Sequence, residues 1–216
     1  MKKRKTPEGA EEERRGAVFT VPTHVAFEIV ALAASAGGLA ALSAVLSALP
    51  ADFPAALVVV QHLDPRHRSL MADILDRRTP LTVKQAEEGD HLSSGNVYIA
   101  PPDRHLLVNP DGTLSLSQSK LVHFVRPSAD LLFESTAASY KDRAIAVVLT
   151  GTGSDGSLGV KAIKETGGTV IVQDEKTSEF SGMPSAATQT GQVDFVLSLE
   201  EIPLALMTLV MKGAAA

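Results

Sequence analysis

Three side chains of the kinds used in nucleophilic catalysis each follow an apolar run that is typical of a buried strand. Ser35 ends the run "ALAAS", His62 ends "LVVVQH", and Asp155 lies in the glycine-rich stretch "TGTGSDG" that follows "AIAVVL". A serine becomes a nucleophile beside a base, histidine is the usual base near neutral pH, and a carboxylate can orient that histidine. The three residues are therefore candidates for a catalytic triad.

The residues around Ser35 strengthen this interpretation. The stretch from Ala33 to Gly37, "AASAG", resembles the G-x-S-x-G nucleophile elbow with alanine in place of the first glycine. The backbone N–H groups after such a serine can face a developing negative charge. Taken singly, the stretches also have structural interpretations, as a glycine-rich turn at Ser35 and a strand-end histidine at His62.

The remaining histidines do not suggest a metal site. The chain has no cysteine, which excludes thiolate ligands, disulfides and a cysteine nucleophile. No metal-ligand spacing such as H-E-x-x-H occurs among the other histidines, which are His24, His67, His91, His105 and His123. We therefore predict no metal ion and no cofactor.

The elements that would position the candidate residues alternate between strand and helix. Strands are predicted at 24–33, 55–61, 144–150 and 169–173, and helices at 37–49, 68–78, 128–142, 157–166 and 199–212. Asp111-Gly112, between short alternating runs, predicts a hairpin. Because the strands are apolar without polar alternation, we expect an α/β fold of three layers: a doubly wound, mostly parallel sheet with helices on both faces and an appended antiparallel β-hairpin.

This fold would bring the candidate residues together. In open α/β sheets, ligand and catalytic groups gather at the carboxyl ends of the strands, where Ser35, His62 and Asp155 fall. The stretch "FSGMPSAATQTG" is expected to be a loop that enters a helix, and it could line the same cleft. We expect residues 1–20 to form a disordered charged tail and residues 21–216 to form one catalytic domain.

The charge distribution bears on partners and location. The first 16 residues carry six basic and four acidic side chains, which leaves 14 basic and 21 acidic residues in the rest, a net charge of −7. Such a surface repels phosphate backbones, so no nucleic-acid partner is expected. No apolar run approaches the roughly 18 residues that span a bilayer. We therefore expect no membrane insertion and a cytoplasmic location.

The stretch "VVLTGTGSDG" also has the layout of a dinucleotide-binding loop. A strand precedes three glycines, a helix follows, and Asp174 lies about 20 residues further on, where a ribose-binding acid would be. Asp155 argues against this interpretation because a carboxylate beside a pyrophosphate would repel it. An oxidoreductase that uses NAD is therefore a remote alternative, while a carboxylate that accepts a hydrogen bond from a histidine suits Asp155.

Six stretches together indicate a family. The chain resembles the catalytic domain of the bacterial chemotaxis protein-glutamate methylesterase family, CheB, from about residue 26 to residue 205. The resemblance rests on "AASAGG", "VVVQHLDP", "VYIAPPDRHLLV", "RPSADLLFESTA", "VVLTGTGSDGSLGVKAIKETGG" and "GMPSAA". Within the family, "GTGSDG" and "QHLDP" look most similar to methylesterase-like domains fused to receptor methyltransferases.

The resemblance implies an activity and a set of site residues. It implies hydrolysis of glutamyl methyl esters, and in some members deamidation of glutamines, on the cytoplasmic helices of chemoreceptors. The nucleophile, base and acid of the family fall on Ser35, His62 and Asp155. The resemblance puts oxyanion donors at the backbone N–H groups of Ala36 and Thr152. It assigns the substrate-binding side of the site to Gly37, Arg126 and Met183.

Several positions depart from the family's usual pattern. Ala33 and Ala36 stand where glycine and threonine are usual, Thr152 where methionine is usual, and Ser185 where arginine is common. Fewer than 30 residues precede the first strand, so we expect no receiver domain in this chain. The implied partners are methyl-accepting chemoreceptor-like proteins, and a methyltransferase or a separate receiver protein is a further candidate. The alternative is a non-catalytic module that has the same fold and binds a receptor or another partner.

Overall fold

The computed structural model describes residues 28–62 and 69–214. Nine strands are present in these ranges: β1 Ile29–Ala34, β2 Ala56–Gln61, β3 Thr82–Gln85, β4 Asn96–Ile99, β5 His105–Val108, β6 Leu114–Ser117, β7 Ala144–Val148, β8 Thr169–Gln173 and β9 Phe195–Leu197. Six α-helices accompany them: α1 Gly38–Ser47, α2 Met71–Asp76, α3 Ala129–Tyr140, α4 Ser157–Glu165, α5 Gly182–Gln189 and α6 Ile202–Ala214.

Seven of these strands form one parallel sheet in the order β3-β4-β2-β1-β7-β8-β9. Its central strands are apolar throughout because both faces are covered. In β1, Val30 and Leu32 enter the core beneath α1, α2 and α6, whereas Ile29 and Ala31 enter the core beneath α3, α4 and α5. The antiparallel hairpin β5-β6 packs with the second group. The predicted three-layer fold with an appended hairpin is confirmed.

Three strands of the sheet were not predicted. One of them is β4, which has only four residues, too few to show a distinctive period. The edge strands β3 and β9 have only four and three residues, and parts of each are exposed. Short half-buried runs at a sheet edge lack the continuous apolar pattern of the central strands, so sequence periodicity does not reveal them. The predicted tail at 1–20 and the beginning of the first predicted strand lie outside the described residues.

Backbone hydrogen bonds join the carboxyl ends of β1, β2 and β7, which are adjacent strands. The N–H of His62 donates to the carbonyl of Ala34 (3.2 Å), and the N–H of Ser35 donates to the carbonyl of Thr150 (3.0 Å). The residues that follow the three strands are therefore held side by side before any side-chain contact is considered.

The helices α3 and α4 approach closely through a glycine. A Cβ on Gly159 would lie 2.5 Å from the Cβ of Phe133 and 3.0 Å from the carbonyl oxygen of Asp130. We expect Gly159→Ala to lower the free energy of unfolding by about 1–3 kcal/mol, because overpacking outweighs alanine's better helix propensity. Urea denaturation would measure this, with exposed Lys161→Ala on the same helix as the control. Unchanged or increased stability of Gly159→Ala would contradict the prediction.

Candidate active site

Ser35 occupies a tight turn between β1 and α1. Its carbonyl accepts hydrogen bonds from the N–H of Gly38 (2.9 Å) and from Nε2 of Gln61 (2.7 Å). Gly37 has a φ of +77°, which favours glycine, and it begins the helix. A Cβ on Gly37 would also lie 3.1 Å from Cβ of Glu179 and 3.2 Å from Cγ2 of Thr150, so a side chain here would be crowded. The turn holds Ser35, half-buried, at the N-terminal end of α1.

A cleft of about 460 Å³ adjoins this turn. Ser35, Gly37 and Gln61 line it on the side of the sheet, and Met71 and Arg78 line it from α2 and the residues that follow. Ser35 therefore borders a space large enough to admit a side chain and part of the backbone of another polypeptide.

His62 and Asp155 are joined directly. The Nε2 atom of His62 lies 2.8 Å from Oδ2 of Asp155, and their side chains are 13 % and 3 % exposed. In the neutral ring, this contact places the proton on Nε2 and leaves Nδ1 unprotonated. Nδ1 is therefore the nitrogen that can accept a proton from another group.

The carboxylate of Asp155 has three further hydrogen bonds, all from the start of α3. Oδ1 accepts from the hydroxyl of Ser128 (2.8 Å) and the N–H of Asp130 (3.2 Å), and Oδ2 accepts from the N–H of Ala129 (2.6 Å). Burial alone would raise the pKa of Asp155, but the hydrogen bonds from His62, Ala129 and Ser128 outweigh it and hold the pKa below its ordinary value. Asp155 is therefore an ionised carboxylate at neutral pH.

Asp130 makes the reciprocal arrangement with α4. Its Oδ1 accepts from the N–H groups of Gly156 (2.9 Å), Leu158 (2.9 Å) and Gly159 (2.8 Å). Free N–H groups at the start of a helix need such acceptors. The loop before α4 thus caps α3 through Asp155, and α3 caps α4 through Asp130. This exchange fixes the position of Asp155 relative to both helices.

The glycine-rich loop lies directly against Ser35. A Cβ on Gly151 would lie 2.4 Å from Sδ of Met183 and 2.8 Å from Cβ of Ser35, and a Cβ on Gly182 would lie 2.9 Å from the nitrogen of Gly153. The N–H of Met183 donates to the carbonyl of Gly151 (2.9 Å). Met183 is buried beneath the loop, and its predicted contact with substrate stays a prediction.

The two predicted oxyanion donors lie in the segments next to Ser35. Ala36 is half-buried immediately after Ser35, and Thr152 is exposed in the loop that packs against it. Within the described residues, neither backbone N–H donates to a protein acceptor, so both are available to a ligand. Within the same residues, the hydroxyl of Ser35 makes no side-chain hydrogen bond, so the structure joins His62 to Asp155 but not Ser35 Oγ to His62.

Arg126 is tied to the protein itself. Its Nε donates to Oδ1 of Asp103 (2.9 Å), and its Nη1 donates to the carbonyls of Gln118 (3.2 Å) and Ser119 (2.8 Å). These bonds hold the segment between the hairpin and α3. Contact of Arg126 with a substrate stays a prediction.

Ser128 and Asp130 belong to the site through their hydrogen bonds to Asp155, but they were not predicted from the sequence. Ser128 caps the predicted helix and Asp130 lies in its first turn, so helix-capping rules could have drawn attention to both.

The alternative role of Asp174 as a ribose-binding acid finds no support in its contacts, because Oδ1 of Asp174 accepts from the N–H of Thr177 (2.9 Å) within its own turn.

Neither a membrane-spanning helix nor a metal-binding cluster occurs in the part of the chain that the structure describes. None of its helices is both long and apolar enough to cross a membrane. No group of three or more potential metal-binding side chains occurs among residues 28–62 and 69–214.

His105 extends the network beneath Ser128. This buried ring accepts from the N–H of Ser128 at Nδ1 (3.1 Å), and its Nε2 lies 3.1 Å from the carbonyl of Lys120, so it is neutral. Burial lowers the pKa of His105 below its ordinary value of 6.5. The unfolded chain therefore takes up a proton at a higher pH than the folded protein does, and stability falls as pH drops below about 6.5.

The pH dependence of stability tests this placement. Between pH 7 and pH 5, we expect the free energy of unfolding of the wild type to decrease, with His105 contributing at most about 1.4 kcal/mol per pH unit. His105→Gln should have a smaller slope, whatever its absolute stability. Denaturant titrations at several pH values would measure both slopes, and equal slopes would contradict the prediction.

Comparison with known proteins identifies the family to which this fold belongs. The family model described as CheB methylesterase matches residues 30–206. The crystal structure of the Thermotoga maritima CheB methylesterase catalytic domain is similar with a TM-score of 0.82 and 41 % identity, covering 86 % of this chain and all of that one.

Relatives of similar sequence bear a common name. A protein-glutamate methylesterase/protein-glutamine glutaminase 2 of Anaeromyxobacter dehalogenans is 44 % identical over 197 residues, which are 91 % of this chain and 57 % of that protein. The Pyrococcus horikoshii protein-glutamate methylesterase/protein-glutamine glutaminase is 41 % identical over 85 % of this chain and 50 % of its own length. A Leptospira interrogans protein whose name carries the same two activities is 44 % identical over 82 % of this chain and 91 % of its own length. From its fold, its sequence and the span of the match, this chain belongs to the CheB methylesterase family.

Proposed function

We propose that this protein is a serine hydrolase that removes methyl groups from glutamyl methyl esters on chemoreceptor-like proteins, and that it deamidates glutamines on the same proteins. The observation that carries the proposal is the 2.8 Å contact between Nε2 of His62 and Oδ2 of Asp155, beside the turn that holds Ser35. The names of the relatives from Anaeromyxobacter dehalogenans and Pyrococcus horikoshii, which combine the two activities, support the choice of substrate.

Ser35 is the nucleophile and His62 is its base. As the hydroxyl oxygen of Ser35 attacks the ester carbonyl carbon, Nδ1 of His62 takes the hydroxyl proton. The tetrahedral intermediate collapses, methanol leaves with that proton, and the glutamyl group remains as an ester on Ser35. Water, deprotonated by His62, then attacks this ester and frees the glutamate carboxylate and the serine hydroxyl. Ammonia takes the place of methanol in glutamine deamidation.

The ring nitrogens of His62 exchange the roles they have in the Ser-His-Asp triad of chymotrypsin. There the carboxylate contacts Nδ1 and the serine contacts Nε2; here Asp155 contacts Nε2. Nδ1 lies nearer the backbone, and the backbone of His62 is hydrogen-bonded to Ala34, the residue before Ser35. Tightening of the contact between Ser35 and His62 when substrate binds is expected, since such bonds are often long in the free enzyme.

Fixed groups of the protein can stabilise both charges that develop during the reaction, on the oxyanion and on the imidazolium. The N–H groups of Ala36 and Thr152, which have no acceptor among the described residues, are the proposed donors to the oxyanion, each contributing about 3 kcal/mol to the lowering of the barrier. The ionised carboxylate of Asp155 stabilises the imidazolium that His62 becomes. Its three hydrogen bonds from α3 keep it from turning toward solvent.

The proposed substrate also suggests the partners of the protein, its location and the process in which it acts. Chemoreceptor-like proteins are the partners, and a methyltransferase of the same receptors or a separate receiver protein is a candidate regulator. The cytoplasm is the proposed location, and chemotaxis or a related sensory pathway is the proposed process.

Methanol release from a methylated chemoreceptor cytoplasmic fragment tests the proposal. The wild type should release methanol and should also hydrolyse p-nitrophenyl acetate, a small activated ester. Hydrolysis of the small ester without methanol release from the fragment would overturn the receptor substrate while keeping the serine hydrolase. Failure of both reactions by folded protein would leave a receptor-binding module as the better interpretation.

A further inference from the structure

A two-residue turn near the catalytic residues has an unusual backbone. Val122 and Val125 exchange hydrogen bonds through both backbone N–H groups (3.2 and 2.8 Å), and the intervening His123 and Phe124 have φ values of 47° and 64°. Hairpin turns with two positive φ values strongly favour Asn-Gly, because a bulky side chain is strained in this conformation. His123 and Phe124 therefore make this turn less stable than Asn-Gly would, so the stability of the turn does not explain why these residues are there.

Its side chains are also exposed. Phe124, at the tip, is 95 % exposed, and Leu121, just before the turn, is 54 % exposed. Leu158, in the first turn of α4, is 49 % exposed. We call these three residues the apolar rim. A large aromatic side chain that is almost fully exposed gains nothing from burial on folding, and such a side chain can anchor a partner.

Hydrogen bonds connect the apolar rim to the catalytic residues. Nε2 of His123 lies 3.1 Å from Oδ2 of Asp130, and the N–H of Leu158 donates to Oδ1 of the same carboxylate. The N–H of Asp130 in turn donates to Asp155, the partner of His62. The rim therefore lies one layer of side chains away from Asp155 and is anchored to the same helix start.

A protein substrate must come close to the surface around Ser35. Three carbon–carbon bonds separate the Cα of a glutamyl residue from its ester carbonyl carbon, a reach of about 4 Å. The backbone that carries the ester must therefore approach Ser35 closely, and neighbouring residues of the substrate must meet the surface around the catalytic residues. An amphipathic helix offers apolar side chains three and four residues apart on one face, which match a cluster of separate apolar side chains.

We propose that the apolar rim is the docking surface for the apolar face of the substrate helix that carries the glutamyl ester, with Phe124 as its anchor. This rests on the proposed function, since it assumes a protein substrate. The positive φ values of His123 and Phe124 serve to project the phenyl ring away from the fold toward that helix.

Two variants separate the side chain from the turn. Phe124→Ser removes the ring, and Phe124→Gly also supplies a residue that favours a positive φ at this position of the turn, while His123 keeps its contact with Asp130. Both should lower kcat/KM for methanol release from the receptor fragment about tenfold or more, the loss typical of an interface anchor, with p-nitrophenyl acetate hydrolysis within about twofold of wild type. Phe124→Gly should also raise Tm by about 2–4 °C, because glycine relieves the backbone strain at this positive φ.

The matched control is Leu204→Ser. Leu204 is 59 % exposed on α6, whose buried residues pack on the opposite face of the sheet, and its substitution should change neither activity. Equal methanol release by wild type and both turn variants would overturn the docking surface and leave the proposed function standing.

A crosslinking experiment covers the case in which the function itself is wrong. A benzophenone side chain at position 124, placed in Ser35→Ala protein, should crosslink to the receptor fragment on illumination, and the same group at position 204 should not. Crosslinking at position 124 without methanol release by the wild type would support the docking surface and overturn the proposed hydrolysis of receptor methyl esters. The absence of both crosslinking at position 124 and methanol release would overturn the docking surface and the proposed function together.

Discussion

Ser35→Ala should abolish methanol release, lowering kcat by about 10⁴–10⁶-fold to the level of the remaining binding and oxyanion groups. Alanine removes the only atom of the side chain that can form the covalent intermediate, and it leaves the backbone bonds of the turn to Thr150 and Gly38 intact. The variant should therefore fold, bind the receptor fragment and retain the Tm of the wild type within a few degrees.

The measurement compares methanol release, p-nitrophenyl acetate hydrolysis and labelling by a serine-reactive fluorophosphonate. Ser47→Ala is the control, because Ser47 is an exposed serine at the other end of α1 whose hydroxyl donates to the carbonyl of Ala44 (3.3 Å). Loss of both hydrolytic activities and of labelling in Ser35→Ala alone identifies the nucleophile. Activity of Ser35→Ala near that of the wild type would refute the mechanism.

Asp155→Asn should reduce kcat by about 10⁴-fold, by analogy with the same change in other triads. All the partners of this carboxylate donate hydrogen bonds to it, so an amide group must turn its NH₂ toward one of them. If the NH₂ faces His62, Nε2 has to accept and the proton moves to Nδ1, which then cannot take the proton of Ser35. If it faces Ser128 and Asp130, it opposes a backbone N–H and weakens the cap of α3.

The kinetic comparison for Asp155 uses Ser128→Ala as a graded control. That variant removes one donor to Oδ1 and keeps the contact with His62, so its kcat should fall about tenfold at most. Circular dichroism at the assay temperature would establish that both variants are folded. An Asp155→Asn enzyme as active as Ser128→Ala would show that orientation of His62 does not depend on the carboxylate.

Where the substrate docks and where it reacts are separate questions in this protein. In the proposed mechanism, loss of Ser35 or Asp155 should lower hydrolysis of a small ester as well as of a receptor ester, whereas loss of Phe124 should lower hydrolysis of the receptor ester alone. The ratio of the two activities therefore distinguishes a defect in chemistry from a defect in docking, and it does so without knowledge of the natural receptor.

Several features of the fold were predictable because they depend on local pattern. The central strands β1, β2, β7 and β8 are continuous apolar runs, so their burial on both faces could be read directly. The positive φ of Gly112 and the hairpin between β5 and β6 agree with the Asp111-Gly112 signal. The edge strands β3 and β9 were missed because three or four half-exposed residues carry no distinctive period.

By itself, the sequence determined the fold class and the three residues that follow its central strands, because the ends of adjacent parallel strands must meet on one side of a sheet. Only the tertiary structure decided that Asp155 contacts Nε2 rather than Nδ1 of His62, and that Asp130 and Asp155 cap each other's helices. It also decided that Phe124 is exposed on a strained turn. These features depend on distances between segments far apart in the chain, which the local spacing of residue types does not contain.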